Sequence, residues 1–232
     1  MYRVAFAVPE LPGKDARSIP AFVKSRFDEY VRSRKRIGAT MERIFRMPTP
    51  MGTFVIAYIE SDKPFAEANA AMAASPDPFD KEFMRLLTDV HGLDFSKPPP
   101  GPGPEVLAEW FDPDVGERRR GLAFVAPVRP GKSDVGRAFA NAAFNDRRKE
   151  LAASRRSKDL NAEMVVLSET PQGDFVCVYI EGKDPVEGNR KFASSKEPYD
   201  VWFKSECRKI FPDAIDFDQP LPPIEQIHDW RA

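Results

Sequence analysis

Two histidines and two cysteines in 232 residues leave little material for a metal centre, a haem ligand set or a disulfide framework. Cys177 and Cys207 lie in the apolar contexts FVCVYI and SECRKIF, where a reduced core thiol is expected rather than a bridge. No apolar run reaches the roughly 18 residues that a spanning helix requires. The opening MYRVAFAVPELPG has neither the long apolar segment nor the small-residue cleavage site of a secretory signal, so the expectation is a cytoplasmic chain with no membrane partner. An excess of charge of one sign is missing too. Thirty-five Lys and Arg face 36 Asp and Glu, so no net field draws the chain to nucleic acid. What is present is 42% hydrophobic residues, enough for one large core or two small ones.

The chain is written twice. TPMGTFVIAYIE (Thr49 to Glu60) matches TPQGDFVCVYIE (Thr170 to Glu181) in register, and SPDPFDKEF (Ser75 to Phe83) matches SKEPYDVWF (Ser195 to Phe203). Upstream, Pro12-Gly13-Lys14 recurs as Pro130-Gly131-Lys132, Ser33-Arg34-Lys35 as Ser154-Arg155-Arg156, and Glu42 as Glu163. Downstream, Leu93-Asp94-Phe95 recurs as Ile215-Asp216-Phe217, and a proline-rich tail closes each copy at Trp110 or Trp230. Residues 1–111 and 119–232 are therefore read as two repeats, with their junction in the polar, turn-rich FDPDVGERRR. PPPGPGP (Pro98 to Pro104) reads as a stiff extended arm of the first repeat.

Within a copy, YRVAFAV or GLAFVAPV reads as a strand closed by a Pro-Gly turn. Val23, Phe27, Tyr30 and Val31 then recur at helical spacing up to a Gly38 cap, as do Val135, Phe139, Ala142 and Ala143 in the second copy. MERIFRM and AEMVVLSE read as second strands, joined by the Thr-Pro-x-Gly turn to third strands TFVIAYIE and DFVCVYIE. A helix follows around FAEANAAMAAS or VEGNRKFASS. A second begins at Pro78 or Pro198, with Asp80 or Asp200 expected to complement the exposed amides of its first turn. A short fourth strand fits near LDF and IDF. The order strand, helix, strand, strand, helix is the ferredoxin-like pattern, an α+β fold. The third strands are apolar on both faces, so something must cover the face that the helices leave bare.

These duplicated units, each with a hairpin ending in YIE and a helix opening S-x-x-P-[FY]-D, resemble the dimeric alpha-beta barrel superfamily and most closely an uncharacterised single-repeat family within it. The resemblance covers both repeats. It implies two tandem ferredoxin-like repeats packed sheet to sheet as an intrachain pseudo-dimeric alpha-beta barrel. Members of the superfamily include monooxygenases, isomerase-like enzymes, haem-dependent enzymes and proteins of no known activity, so the resemblance does not choose a chemistry. Its haem-binding members use an axial histidine. Here His91 falls opposite Phe211 and His228 opposite Ala108, so no repeated position supplies one, and neither a cofactor nor a metal is expected.

Glu42, Ile44 and Arg46 share one face of the second strand, matched by Glu163, Val165 and Leu167, while Arg43, Phe45 and Met47 share the other. If that other face packs on helices, Glu42 and Arg46 line the space between the sheets. A carboxylate there can act as a base or bind a polar ligand, with Tyr58 and Tyr179 hydrogen-bonding if the faces converge. Glu42, Arg46, Tyr58, Glu163 and Tyr179 are thus the candidate ligand-binding residues, and no catalytic residue is identified. The competing reading pairs Glu42 with Arg34 and Glu163 with Arg155, and gives both tyrosines to the core. The arginine-rich SRK and SRR complement a helix C-terminus, PGK is a turn, and Trp110 and Trp230 pin their proline arms. Arg46 against Leu167 and Arg43 against Met164 make any pocket asymmetric and mainly served by the first copy. Two classes of function stay open: a small-ligand-binding or structural protein, and a cofactor-free enzyme of monooxygenase or isomerase type. Its state is a monomer or a homodimer.

Overall fold

The computed structural model describes residues 1–95, 97 and 102–232; Pro98 to Gly101 of the proline arm lie outside the described residues. Alternating apolar side chains run straight through Tyr2–Pro9 (β1), and the Pro-Gly turn releases the chain into two short helices, Ser18–Ser25 (α1) and Phe27–Ile37 (α2). A hairpin, Ala39–Thr49 (β2) and Gly52–Ser61 (β3), leads to Phe65–Ala73 (α3), Pro78–His91 (α4) and Glu105–Phe111 (β4). The second half repeats this order. It runs Arg120–Pro127 (β5), Ser133–Asn141 (α5), a π-helical turn at Ala142–Asp146, Arg148–Arg156 (α6), Leu160–Thr170 (β6), Gly173–Gly182 (β7), Pro185–Ser194 (α7), Pro198–Ile210 (α8) and Glu225–Arg231 (β8).

The expected α+β class is observed, as two antiparallel four-stranded sheets in the orders β1-β3-β2-β8 and β4-β6-β7-β5. The fourth strand is not where the sequence pattern placed it. LDF and IDF form no strand. The strand is the segment after each proline stretch, and it joins the sheet of the other half. One compact unit is therefore Met1–Gly103 with Glu225–Ala232, and the other is Pro104–Ile224. Each incoming strand carries its tryptophan into the core, Trp230 into the first unit and Trp110 into the second. Each is also tied down at its first residue: Arg17 Nη2 donates to Glu225 at 2.7 Å, and Arg137 Nη2 to Glu105 at 2.8 Å. Ala5, Phe45, Ile56 and Tyr58, on the sheet face away from the first unit's helices, are fully buried, as an apolar face requires.

The helix expected across Val23 to Val31 is broken at Arg26, whose φ of −135° is not helical. Phe27 consequently starts a new helix and stands 51% exposed, off the buried stripe assigned to it. Gly38 ends α2 at φ 76°, and a Cβ there would sit 1.7 Å from an Asp62 carboxylate oxygen, so glycine is required. The repeated SPDPFDKEF and SKEPYDVWF open helices as expected, with Pro78 and Pro198 in the first turn, and Asp77 Oδ1 accepts from the Phe79 amide at 2.9 Å. Asp80 and Asp200 do something else. Both are buried: Asp80 accepts from Ser75 and, at 2.7 Å, from Arg36, while Asp200 accepts from Ser154 and Ser195 and pairs with Lys158 at 2.7 Å. The carboxylate of the repeated motif thus ties one helical layer element to the next, α4 to α2 and α8 to α6.

The buried tryptophans predict a contrast with the exposed phenylalanine. Trp230→Ala and Trp110→Ala each lower unfolding free energy by about 3–5 kcal/mol, whereas Phe27→Ala stays within about 0.5 kcal/mol of the parent, all read by urea denaturation.

Candidate active site in the first unit

The strand register decides which candidates can meet. Glu42 stands opposite Ile59 and Arg43 opposite Tyr58, so Glu42 and Tyr58 project from opposite faces of the sheet. Glu42 faces α2, where Arg34 Nε lies 2.8 Å from its Oε2. Arg46, on the same face, makes a bidentate pair with Glu10 at 2.8 and 2.7 Å, and Glu10 also accepts from the Ala16 amide. That double donation from Arg46 holds the Glu10 carboxyl below its ordinary range. Tyr58 donates to Glu60, and Tyr179 to Glu181 at 2.7 Å; Arg3 and Arg118 reach the same two carboxylates. Glu163 pairs with Arg155, as Glu42 does with Arg34. The helix-side pairs and the tyrosines of the opposite face are separate clusters in each unit.

The helix side of the first unit holds a polar group that the strand pattern did not point to. Tyr30, on α2 and fully buried, has its hydroxyl 2.9 Å from His228 Nε2. His228 stands opposite Ile44 in β8, and a bulge at Ile227 lies beside it; extra residues of this kind re-aim neighbouring side chains. Trp230 packs edge-on against Tyr30 with centroids 5.5 Å apart. The Arg34 guanidinium lies 4.6 Å from the Tyr30 ring centre and 4.7 Å from that of Phe83.

Electrostatics follow from this packing. Burial pushes the Tyr30 hydroxyl well above its ordinary pKa, and the Glu42 charge adds to the effect, so the phenol is protonated. Burial also lowers the His228 imidazole, and it is neutral at neutral pH. Arg34 and Glu42 form an ion pair rather than an aligned hydrogen bond, and Arg34 Nη2 has no hydrogen-bond partner. Of Tyr30, Arg34, Glu42 and His228, only His228 is more than slightly exposed.

In the second unit the same place is built without this chemistry. Leu151 stands where Tyr30 does and Ala108 where His228 does, and both pack in the second core. Arg155 has an acceptor for each of its nitrogens, donating to both Glu163 oxygens and, at 3.1 Å, to the Ser154 hydroxyl. The signal that could have found the first site was present as these two mismatches between repeats, yet it was hidden because His228 belongs to one repeat by sequence and to the other's sheet in space. His91, the second histidine, accompanies no such group; its Nδ1 lies 2.8 Å from the Pro9 carbonyl.

Both histidines are held below the ordinary imidazole range by burial. The unfolded chain then takes up protons near pH 6.5 while the folded chain does not, so stability rises with pH through that region. Urea midpoints are expected to increase between about pH 5 and pH 7, and the increase is smaller in His228→Asn.

Comparison with known proteins reaches the fold and no further. No protein-family model matches the chain, and no curated protein matches it in sequence. Solved structures do match it across nearly their whole length. Two proteins named "putative monooxygenase" are similar to it: one from Fusobacterium nucleatum subsp. nucleatum, at TM-score 0.51 and 9% identity over 100% of this chain and 96% of that one, and one from Lactobacillus acidophilus NCFM, at 0.51 and 8% over 98% and 94%. A protein named "anthrone oxidase-like" is similar at TM-score 0.52 and 10% identity, over 97% of this chain and 92% of that one.

Proposed function

We propose that the chain is a cofactor-free enzyme of monooxygenase or isomerase type, and that its first unit takes a proton from a small organic molecule at the Tyr30–His228 pair. The observation that carries this is the 2.9 Å contact between a buried, protonated phenol and the neutral imidazole of a half-buried histidine. A neutral imidazole near its working pH is the side chain best matched to proton abstraction, and the phenol oxygen offers a second site through which the proton can pass. Abstraction is the step the two reaction types share. In an isomerase the proton returns to a different atom of the substrate; in an oxygenase the anion is oxidised and dioxygen is reduced.

The fold likeness to proteins named as monooxygenases and as anthrone oxidase-like supports the enzymatic reading over a purely structural one. The non-catalytic reading fits the second unit, where leucine, alanine and an ion pair with an acceptor for each guanidinium nitrogen fill the corresponding place. Glu42 then serves the first unit as the counter-charge of Arg34, and Arg46, Tyr58, Glu163 and Tyr179 serve as structural pairs rather than ligand contacts.

The test is turnover of a panel of anthrones, phenols and unsaturated lactones, followed by oxygen uptake and by product absorbance. With a substrate found, His228→Asn lowers kcat/KM by about 10²- to 10⁴-fold, the usual contribution of a positioned acid or base, while leaving the melting temperature within a few degrees. An unchanged kcat/KM in that variant, or no turnover of any member of the panel, overturns the reading.

A further inference from the structure

Arg34 and Arg155 are the same residue in two copies of one motif, and they end differently. Arg155 finds an acceptor for each of its nitrogens in the Glu163 carboxylate and the Ser154 hydroxyl. Arg34 is as deeply buried, at 2% exposure, but its Nη2 has no hydrogen-bond partner. Ser33, the counterpart of Ser154, has its hydroxyl 3.9 Å from the Met72 sulfur and also serves the Asp80 carboxylate. Leaving a buried guanidinium N–H unsatisfied is costly, and a native structure tolerates it where something else supplies the acceptor. The group lies over the Tyr30 ring, beside the hydroxyl that contacts His228.

The charges present restrict what that acceptor is. From α2 come Arg34 and Arg36, positive, and Tyr30, neutral; from β2 comes Glu42, negative; from α4 comes the buried Asp80, whose charge also acts on Arg34 and is paired with Arg36 at 2.7 Å; from β8 comes His228, neutral, while Asp229 on the same strand is engaged by Arg43 at 3.1 Å. The helix-side cluster is thus already neutral. An incoming anion would leave it with a net negative charge in a buried place, which is strongly unfavourable. A neutral acid avoids this. If its hydroxyl proton passes to the Tyr30 oxygen as the Tyr30 proton passes to His228 Nε2, the ligand becomes an oxyanion, His228 becomes a cation, and the total stays at zero. One ligand O–H bond breaks, one imidazole N–H bond forms, Tyr30 is unchanged, and nothing is oxidised or reduced.

We infer that Arg34 Nη2 is the receptor for a ligand oxygen and that the site selects neutral, acidic hydroxyl compounds, phenols or enols, which it binds as oxyanions with their proton on His228. This rests on the reading of Tyr30 and His228 as the proton-accepting pair, and it names the substrate class. Arg34 is the specificity-determining residue, and preformed anions such as carboxylates are disfavoured.

The experiment uses the intact chain and 4-nitrophenol, whose anion alone absorbs in the visible. Slightly below neutral pH, where the free probe is mostly un-ionised, saturable binding is expected to develop the phenolate band, because the site favours the charged form. Benzoate is expected to bind at least about tenfold more weakly than 4-nitrophenol, a difference of about 1.4 kcal/mol. In His228→Asn the probe binds without the band, and in Arg34→Lys, which keeps the charge but loses the planar fork, both affinity and band fall. Binding that shows only the spectrum of the neutral phenol, or an undiminished band in His228→Asn, overturns this inference and leaves the proton-abstraction reading standing on its turnover test. Absence of saturable binding by wild-type protein likewise overturns this inference and not the proton-abstraction reading. The wild-type spectrum decides the matter even where Arg34→Lys does not fold.

Discussion

A β-sheet edge left open presents a row of unpaired amides and carbonyls, and the arrangement of this chain depends on how that edge is filled. Beside β2 and beside β6 the neighbour is the last strand of the other half, β8 in one sheet and β4 in the other. The consequences run outward from that pairing. Trp230 enters the first core because it stands opposite Glu42, and His228 reaches the hydroxyl of Tyr30 because it stands opposite Ile44. The two groups of the candidate site are 198 residues apart in sequence. Contacts of such separation carry the entropy of closing the intervening chain. The site is held by side-chain packing against Trp230 and by the Arg17 to Glu225 pair at the strand's start.

Charges buried between helices and sheet are the second constraint. Each unit keeps an arginine on its second helical segment against a glutamate on the neighbouring strand, and each keeps an aspartate from the repeated helix-opening motif nearby. Removing either partner of such a pair strands a charge away from water, at a cost of several kcal/mol, which makes the pair hard to lose even where it does no chemistry. The second unit shows that state: Arg155, Glu163, Ser154, Asp200 and Lys158 satisfy one another. The first unit shows the same scaffold with two Arg34 nitrogens, Nε and Nη2, outside any aligned hydrogen bond. On the proposed reading, a structural ion pair and a binding residue differ here by an unfilled hydrogen bond, not by residue type.

Much of this was legible in the sequence, because local signals are short-range. The hairpins followed from Thr-Pro-x-Gly, the cap of α2 from Gly38, and the start of α4 from Asp77-Pro78; the pairing of Arg34 with Glu42 was one of two readings open to the sequence, the ordinary use of such residues as an ion pair. The fourth strand was misplaced because LDF and IDF carry the apolar pattern, whereas EVLAEWF and EQIHDWR owe their strand state to a partner edge that local sequence does not describe. Which face of β2 meets the helices was undecidable from alternation alone, since both faces are buried, and so the candidates Glu42 and Tyr58 were grouped although they point apart. Phe27 falls off the buried stripe that unbroken helical spacing predicts, because the break at Arg26 rotates the following turn away from the one before it.

The divergence of the two halves has a form that only strand exchange explains. The first unit takes its tyrosine from the first repeat and its histidine from the second; the second unit takes leucine from the second repeat and alanine from the first. Had the repeats been two identical chains exchanging their last strands, a tyrosine at the helix position and a histidine at the strand position would have appeared in both units together. In one covalent chain they separate. The helix position can be polar in one copy and the strand position polar in the other, and the two choices meet in a single place. Each repeat taken alone then carries half of the pair beside an apolar residue at the other position, which is why comparing the repeats position by position scatters the site. Comparing them unit by unit, with the last strands exchanged, brings both differences to the same point beside Arg34.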